Sequence, residues 1–392
     1  MAHRDRLPLL ALLAAVALAA CGAPAASRDD AGQVRDTCSG AVADPEYATA
    51  IQAGSTFMER AMAAFEAPGA AVAVAVHGEV VWAAAFGLAD TEAGVPACPE
   101  TAFRVGSVSK SITAAALARL LDAGAIDLDS TVGDLLPDLP RELHSITVAQ
   151  LGHHQSGIRH YRTSGEVVNR QHFDSVAAGL SIFAGSPLLF EPGTSSSYSS
   201  YGYNLLGALL EAVTGDDYGS LVERQVLDVV GMISTTPDDA SVQPPARARP
   251  YERLAVAQVV PAPVADLSDR LPSGGWSASA SDLARLGAAL LDDSFISPDA
   301  QDALFADAAL PDGETTGYGI GFEVACNPPG PCLAMQTGAV VGGSALLLID
   351  RANGVVAAIV MNVGTATATS APPPAQPPPD PPELLAPFGG AG

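Results

Sequence analysis

The sequence predicts an α/β (α+β) protein whose central antiparallel sheet combines strands from both ends of the chain. Three observations lead to this prediction. Near the N-terminus, the apolar runs Ala70–His77 and Glu79–Phe86 flank His77-Gly78, as the two strands of a buried hairpin do. The C-terminal part holds further strand-like segments, and a turn with Asn353-Gly354 joins the last two. A helix-rich stretch separates the two groups, which predicts flanking helices and a helix-rich inserted subdomain.

Periodicity and capping residues place the other elements along the chain. The predicted helices span about Pro45–Phe65, Ser107–Asp122, Leu205–Val213 and Asp282–Leu291, and the predicted C-terminal strands span Tyr318–Val324, Leu333–Thr337, Ser344–Asp350 and Gly354–Asn362. We expect four parts: a signal peptide at 1–20, a small polar tether at 21–44, a folded domain at 45–363 and a disordered, proline-rich tail at 364–392. A folded part of this size is large enough for a full hydrophobic core.

The N-terminus has the pattern of a secretion signal. A basic start precedes an apolar run from Leu7 to Ala20, which is too short to span a bilayer but suits the hydrophobic region of a signal peptide. The run ends in Leu18–Gly22 (LAACG), which resembles the cleavage box of bacterial lipoproteins. That resemblance implies a lipidated Cys21 and an exported protein anchored to a membrane surface of the bacterial envelope. Ordinary cleavage after a small residue, which would leave Cys21 free, is the alternative.

Charge narrows the classes of partner. The chain carries 19 basic and 43 acidic residues and a formal net charge of −24. This balance argues against nucleic acid or an anionic lipid surface as a partner, because both repel an acidic protein. It does not specify a substrate.

Besides Cys21, four cysteines remain, an even number that permits two disulfides in an exported protein. A tight Pro/Gly turn separates Cys326 from Cys332 and favours a local bridge, so that Cys38 would pair with Cys98. A metal site is the rival interpretation, but C-x-x-C spacing is lacking, and the histidines do not follow H-E-x-x-H order. We therefore predict no metal and no cofactor.

Lys110 is the only lysine of the chain, whereas arginine occurs 18 times. Lysine can lose its proton when it is buried, but arginine stays charged at any working pH. Lys110 follows Ser107 by three positions on a predicted helix, where residues i and i+3 face the same way. We therefore predict that Lys110 acts as a neutral amine and accepts the proton of a nucleophilic Ser107. The S-x-x-K spacing is weak by itself, because it also arises by chance among many serines.

Further landmarks follow the S-x-x-K segment in order. They are Leu151–Gly157 (LGHHQSG), Ile158–Tyr161 (IRHY), Leu189–Gly193 (LFEPG), Tyr198–Gly207 (YSSYGYNLLG), Ser273–Ser277 (SGGWS) and Gln336–Ala339 (QTGA). Together these segments resemble the serine β-lactamase and penicillin-binding-protein superfamily, and most closely its class C-like branch with the serine β-lactamase-like hydrolases. The resemblance spans roughly residues 50–362 and implies the β-lactamase/penicillin-binding fold.

The resemblance also implies a role for each motif residue. Ser107 would attack an acyl carbonyl and form an acyl-enzyme, with Lys110 as the first base. Tyr198 matches the tyrosine of the family's Tyr-x-Asn motif, whose phenolic oxygen shuttles the proton. The backbone N–H groups of Ser107 and Ala339 would form the oxyanion hole, where each donor contributes about 3 kcal/mol to lowering the barrier. Residues at the site edge would contact the substrate: Gln336, Thr337 and Gly338.

Two positions depart from the family pattern. Ser200 stands where the Tyr-x-Asn motif has Asn; its hydroxyl can still hydrogen-bond Lys110 or the substrate, but it lacks the two-ended contact of an amide. Gln336 stands where the family has Lys or His before Thr-Gly, so the site loses a cation that would bind a substrate carboxylate. This change argues against efficient penicillin hydrolysis. Arg159 is our candidate for a replacement cation that binds a substrate carboxylate.

These observations predict a serine hydrolase that cleaves an amide or ester bond in a small peptide, a D-amino-acyl compound or an ester. The alternative is an envelope-associated binding protein that keeps the fold and the pocket but has weak or no turnover. The changes at Gln336 and Ser200 favour the alternative. The retained Lys110 opposes it, because an unused site in an arginine-rich chain would be expected to drift to arginine.

Overall fold

The computed structural model describes Cys38 and residues 40–238, 247–255, 258–326, 332–364 and 378–389. By its contacts the chain divides into two units, Met1–Cys38 and Ser39–Gly392, and all the described helices and strands lie in the second. The predicted signal peptide, Cys21 and the first part of the tether lie outside the described residues. Within the described ranges, no helix is both long enough and apolar enough to cross a membrane.

The strands fall into one large sheet and two small ones. In chain order they are β1 (Val42–Ala43), β2 (Gly69–Val76), β3 (Glu79–Asp90), β4 (Val95–Pro96), β5 (Phe103–Arg104), β6 (Thr236–Pro237), β7 (Tyr251–Ala255), β8 (Gln258–Pro261), β9 (Trp276–Ala278), β10 (Glu323–Cys326), β11 (Cys332–Val340), β12 (Gly343–Asp350), β13 (Val355–Met361) and β14 (Val363–Gly364). The large sheet has the order β1-β3-β2-β13-β12-β11-β10, and β4 pairs with β3 at its side.

The helices cover the large sheet on both faces and fill the middle of the sequence. In chain order they are α1 (Ala48–Phe65), α2 (Ser109–Asp122), α3 (Val132–Leu135), α4 (Val148–Gly152), α5 (Ser164–Val167), α6 (Val176–Gly179), α7 (Ser200–Thr214), α8 (Tyr218–Val222), α9 (Asp228–Val230), α10 (Leu271–Gly274), α11 (Ala280–Ala289), α12 (Pro298–Phe305) and α13 (Pro382–Leu385). Short 3₁₀ turns precede α1, at Pro45–Tyr47, and α2, at Gly106–Val108.

The sheet confirms the predicted fold class, because strands from the two ends of the chain meet in its centre. N-terminal β2 pairs antiparallel with C-terminal β13, with Val72 opposite Ile359. Both strands are buried along their whole length, which explains why they read as continuous apolar runs rather than alternating ones. The predicted hairpin turns at His77-Gly78 and Asn353-Gly354 connect β2 to β3 and β12 to β13.

Alternate residues of the central strands face two separate hydrophobic cores. Ala71 and Ala73 of β2 belong to a large core with α2 and α11, whereas Val72 and Val74 belong to a second core with α1 and α13. This alternation follows from the two-residue period of a strand. As a result α2, whose N-terminal turn carries Ser107, is packed on one face of the sheet, and its first residues lie against β11.

The strand predicted at Tyr318–Val324 is wrong in its first half. The observed strand, β10, begins at Glu323, and Tyr318 forms only an isolated antiparallel bridge with Glu323. Between them Gly321 has φ of +85°, and an added Cβ there would lie 2.6 Å from the Cβ of Ala114. The chain therefore turns tightly against α2 at Gly321, where only glycine fits.

The predicted borders of the folded domain also need correction. At the start, Val42 and Ala43 of the predicted tether pair with Ala83 and Trp82 of β3. At the end, part of the predicted disordered tail is ordered: α13 lies within 378–389, and Leu384, Leu385 and Phe388 are buried in the second core. The ring of Phe388 stacks on Trp82, with 6.2 Å between centroids. Proline content predicted disorder, but these three apolar side chains supply enough buried surface to hold the segment. Residues 365–377 and 390–392 lie outside the described residues.

The disulfide predicted within the Pro/Gly turn is present between Cys326 and Cys332. It closes the far end of the β10–β11 pair, whose last register position is Cys326 opposite Cys332. Cys38 and Cys98, which we expected in the second bridge, are both disulfide-bonded cysteines.

Candidate active site

The candidate site begins at the tight turn that carries Ser107. Gly106, immediately before it, has φ of +51°, and an added Cβ would lie 2.9 Å from the backbone nitrogen of Ala339 on β11. Glycine is therefore required here both by conformation and by space. Ser107 sits in the 3₁₀ turn Gly106–Val108, where the first backbone N–H groups of a helical segment have no partner within the helix. The turn thus brings the backbone of Ser107 next to that of Ala339.

Lys110 is buried at the centre of the site and contacts three oxygen atoms. Its Nζ lies 3.0 Å from Ser107 Oγ, 3.2 Å from Ser200 Oγ and 2.8 Å from the carbonyl oxygen of Ser273. The side chain is fully shielded from solvent, and none of the described residues forms a salt bridge with it. Burial without a compensating carboxylate lowers the pKa of Lys110 to about 7. A substantial fraction of Lys110 is therefore a neutral amine at neutral pH.

Tyr198 reaches the same serine from the opposite side. Its hydroxyl donates a hydrogen bond to Ser107 Oγ at 2.7 Å, so Ser107 contacts both Lys110 and Tyr198. The Nζ of Lys110 also lies 4.9 Å from the centroid of the Tyr198 ring. Burial raises the pKa of Tyr198 above its ordinary value, although its hydrogen bond to Ser107 opposes this shift. Tyr198 is accordingly a neutral phenol at neutral pH, and the available base is Lys110.

Two histidines fix the backbone around Tyr198. His154 Nδ1 accepts a hydrogen bond from the N–H of Ser199, and His160 Nδ1 accepts one from the N–H of Ser200, both at 3.2 Å. Their rings flank the Tyr198 ring, with centroids 4.5 Å and 5.5 Å away. Burial, assisted by the nearby charge of Lys110, lowers the pKa of His160 to about 4, and burial lowers the pKa of His154 well below its usual value. Both rings are therefore neutral acceptors that hold the tyrosine in place.

The edge of β11 forms the opposite wall. β10 pairs with β11 only over Cys332–Met335, so the edge from Gln336 to Val340 faces the Ser107 turn instead of another described strand. At Gly338 the two segments are in direct contact, because an added Cβ there would lie 2.0 Å from the carbonyl oxygen of Val105. Because no described strand pairs with β11 beyond Met335, its edge stays open beside Ser107. An extended substrate can pair with such an edge.

The residues converge on a cavity of about 450 Å³. This volume suits a small ligand. Most of the lining is uncharged, and it comprises Ser107, His160, Tyr161, Val167, Tyr198, Ser200, Arg270, Ser273, Gly274, Tyr318, Glu323, Gln336, Thr337, Ala339, Val340 and Val341.

The expected substrate-contacting residues occupy different positions around this cavity. Ser200, Gln336 and Thr337 line it, whereas Gly338 does not and instead faces Val105. The Gln336 side chain is buried, and its Nε2 donates to the carbonyl oxygen of Thr337 at 2.9 Å. Ser200 Oγ accepts a hydrogen bond from Lys110 Nζ. This contact needs only one acceptor, so a hydroxyl can replace the amide of the family motif.

The prediction that Arg159 binds substrate is wrong. Its guanidinium is buried, does not line the cavity and makes two hydrogen bonds to the Glu166 carboxylate, at 3.0 and 3.1 Å. Its remaining N–H groups donate to Ser186 Oγ and to the carbonyl oxygens of His160 and Ile182. Arg159 therefore stabilises the loop next to the site, and no donor is left for a substrate carboxylate.

Sequence reasoning missed several components of the site. The carbonyl oxygen of Ser273 binds Lys110, but a backbone acceptor leaves no trace in residue type. Arg270 and Glu323 are the charged residues in the described lining, and neither belongs to a motif. Arg270 is itself ion-paired with Asp269 at 2.9 Å. His160 was visible as part of the Ile158–Tyr161 segment, but its contact with the Ser200 backbone depends on how two loops meet.

The sequence and the fold are similar to those of known proteins. A profile of the beta-lactamase family matches residues 56–374, which is most of the chain. Esterase EstB of Burkholderia gladioli is 31% identical over 340 aligned positions, and the match covers 75% of this chain and 86% of the esterase. The serine beta-lactamase-like protein LACTB, mitochondrial, of Homo sapiens is 28% identical over 313 residues, covering 62% of this chain but only 57% of that protein.

A solved structure shows the same fold at a similar level of sequence identity. The crystal structure of a D-stereospecific amidohydrolase from Streptomyces superposes with a TM-score of 0.67 at 27% identity, over 80% of this chain and 94% of the amidohydrolase. The match of the family profile, the order of the motifs and the antiparallel sheet with its flanking helices all agree. The chain therefore belongs to the beta-lactamase family.

Proposed function

We propose that this protein hydrolyses an amide or ester bond through an acyl-enzyme on Ser107. The observation that carries the proposal is the double contact of Ser107 Oγ, 3.0 Å from Lys110 Nζ and 2.7 Å from the Tyr198 hydroxyl. A nucleophile in hydrogen-bond contact with a base, which in turn is held by other groups, is the geometry that covalent catalysis by serine requires. The likeness to an esterase and to an amidohydrolase supports the same reaction class.

In the acylation step, neutral Lys110 has two N–H groups and one lone pair. The N–H groups are directed to Ser273 O and Ser200 Oγ, which leaves the lone pair for the proton of Ser107. As Lys110 takes this proton, Ser107 Oγ bonds to the substrate carbonyl carbon, and the carbonyl oxygen becomes an anion. The N–H groups of Ser107 and Ala339 would stabilise this anion. The carbon–leaving-group bond then breaks, and the leaving group takes a proton from the Tyr198 hydroxyl.

Tyr198 then recovers its proton from the Lys110 ammonium through the Ser200 hydroxyl, which lies 3.2 Å from Lys110 Nζ and is hydrogen-bonded to Tyr198. In deacylation the Lys110 amine takes a proton from a water molecule that attacks the acyl carbon, and the resulting ammonium gives this proton to Ser107 Oγ as the acyl bond to Ser107 breaks. The raised pKa of Tyr198 suits a relay that returns to the neutral phenol after each transfer.

Small peptides, D-amino-acyl compounds and esters are the substrates we propose. Gln336, which has no charge, is a poor partner for the carboxylate of a penicillin.

We further propose that the protein is exported and anchored to a membrane surface of the bacterial envelope through lipid on Cys21. The support is the sequence LAACG at Leu18–Gly22 behind a short apolar run. The competing function is an envelope-associated binding protein without useful turnover, which would have the same location and the same cavity. It differs in one respect that can be measured, which is whether Ser107 reacts covalently.

The first prediction concerns covalent labelling of the full-length protein with a neutral fluorophosphonate, detected by intact mass. We expect one label on the wild type and none on Ser107→Ala, because the nucleophilic oxygen is gone. Lys110→Arg keeps the charge but cannot accept a proton, so labelling should slow by at least about 100-fold. A folded wild-type protein that takes no label would contradict the acyl-enzyme reaction and favour the binding protein.

A second prediction compares two tyrosines of the same segment. Tyr198→Phe removes the hydroxyl that contacts Ser107 and should slow labelling by about 100-fold or more. Tyr201→Phe is the matched control, because the buried Tyr201 hydroxyl has no hydrogen-bond partner among the described residues. It should leave the labelling rate within about twofold and raise the stability slightly, since an unsatisfied polar group is removed. Equal effects of the two substitutions would show that Tyr198 has no role in the reaction.

The third prediction is a pH profile. The pKa of Lys110, lowered by burial to about 7, is the pH below which the base is protonated and inactive. The labelling rate should therefore fall about tenfold per pH unit below 7 and reach a plateau above it, because the neutral amine is the reactive form. A neutral fluorophosphonate does not titrate in this range, so the profile reports the enzyme. A rate that is constant between pH 5.5 and 8 would exclude Lys110 as the base.

The fourth prediction tests whether Cys21 carries a lipid anchor. Expression in a bacterial host with a globomycin-type inhibitor of lipoprotein signal peptidase should cause accumulation of a larger, unprocessed form. Cys21→Ser should lose both lipid incorporation and this response, because the acceptor thiol is absent. Cys98→Ser is a matched control that keeps Cys21. Wild-type protein that is processed normally in the inhibitor would rule out the lipid anchor.

A further inference from the structure

Glu323 is the one carboxylate in the described lining of the catalytic cavity. It begins β10, and its Cα is paired with that of Met335, the neighbour of Gln336. Its side chain is exposed, and its carboxylate has no hydrogen bond or ion pair with the described part of the chain. The negative charge of Glu323 nevertheless acts on the centre of the site, where it is one of the influences that raise the pKa of Tyr198. An unpaired carboxylate therefore faces the space that a substrate occupies.

No free cation in the described lining balances this charge. Arg270 is the basic residue there, and it is buried with its Nε 2.9 Å from the Asp269 carboxylate. Its remaining guanidinium nitrogens donate to the carbonyl oxygens of Glu166 and Val167 as well as to Asp269. Arg159, the other candidate cation, is bound to Glu166 outside the cavity. His160 is neutral at pH 7, because burial lowers its pKa to about 4.

The charge of the site and that of the whole chain thus have the same sign. A formal net charge of −24 lowers the local concentration of anions and raises that of cations around the protein. Within a cavity whose walls are mostly uncharged, one exposed carboxylate attracts a cation more strongly than it would in open water. A substrate carboxylate would meet repulsion from Glu323 and find no free partner.

We propose that Glu323 binds a protonated amino group of the substrate, which makes the site selective for acyl donors that carry a free amine. The inference rests on the proposed function and narrows its substrate class to amino-acyl amides and esters. The ammonium would donate to the Glu323 carboxylate while the open edge of β11, from Gln336 to Val340, holds the extended acyl part beside Ser107. Acylation of the substrate amine, or its replacement by a carboxylate, would remove this contact.

The test measures how well three matched amides protect Ser107 of the full-length protein from a neutral fluorophosphonate at pH 7. They are alaninamide, N-acetylalaninamide and N-succinylalaninamide, each in both enantiomers, and they differ mainly in charge. The amino group of alaninamide is mostly protonated at this pH, because the pKa of an α-amino group is about 7.7–8.0. The concentration that halves the labelling rate reports binding whether or not the amide is turned over.

We expect wild-type protein to be protected best by alaninamide and least by the succinyl compound. Glu323→Gln should raise the half-protecting concentration of alaninamide by roughly 10- to 100-fold, the loss typical of a charge-assisted hydrogen bond, and leave that of the acetyl compound unchanged. Glu323→Lys should reverse the order. Glu314→Gln is the matched control, since Glu314 is exposed, its carboxylate makes no hydrogen bond or ion pair with the described residues, and it does not line the cavity.

Two negative results are distinguishable. If wild type takes no fluorophosphonate label at all, the proposed reaction fails. If labelling depends on Ser107 but the three amides protect equally, or their order is the same in wild type and in Glu323→Gln, the reaction stands and the role of Glu323 is overturned. Adding about 0.5 M salt gives an independent check, because it should weaken protection by alaninamide much more than protection by the acetyl compound.

Discussion

Burial of the Lys110 amine without a carboxylate partner is the constraint around which the site is organised. Transfer of a charged ammonium from water to a protein interior is costly, so the group either pairs with an anion or loses its proton. Here the described surroundings supply only neutral oxygens, from Ser107, Ser200 and Ser273. These acceptors lie on three different elements: the turn before α2, the first residue of α7, and α10. The pKa of Lys110 thus depends on the packing of these helices against one another.

The surrounding groups are kept neutral for the same reason. A carboxylate next to Lys110 would restore its ordinary pKa and remove the base, and a charged imidazole would repel the proton that the amine must accept. His154 and His160 use Nδ1 as acceptors for backbone N–H groups, and burial lowers the pKa of both. The formal charges in the described lining, on Glu323 at the start of β10 and on the ion-paired Arg270, are not among the groups that contact the Lys110 amine. Proton transfer and substrate selection can therefore be governed by different residues.

The second requirement is close contact between the nucleophile turn and the edge of β11. It is met by two glycines: Gly106, whose added Cβ would touch the backbone of Ala339, and Gly338, whose added Cβ would touch the carbonyl oxygen of Val105. Any larger residue at either position would push the strand away from the turn. The proposed oxyanion donors, the N–H groups of Ser107 and Ala339, need no particular side chain, so the requirement at this wall is the absence of side chains at positions 106 and 338.

The sequence by itself predicted the central sheet, and it also pointed to Ser107 and Lys110 as the proposed nucleophile and base. Continuous apolar runs beside turn residues predicted buried strands, and the pairing of Ser107 with the single lysine gained weight because further motifs follow it in order. It also led to Tyr198, through the order of several motifs.

The tertiary structure alone decided which charges reach the cavity. Arg159 and Glu323 are equally polar in sequence, but the packing of the loop after α4 pairs Arg159 with Glu166, whereas the turn at Gly321 leaves Glu323 facing the site. The packing of the segment that contains Phe388 also depends on residues distant in sequence. The Phe388 ring stacks on Tyr47 and Trp82, more than 300 residues earlier. Pairing of charges and burial of isolated side chains depend on neighbours distant in sequence, and no local pattern encodes them.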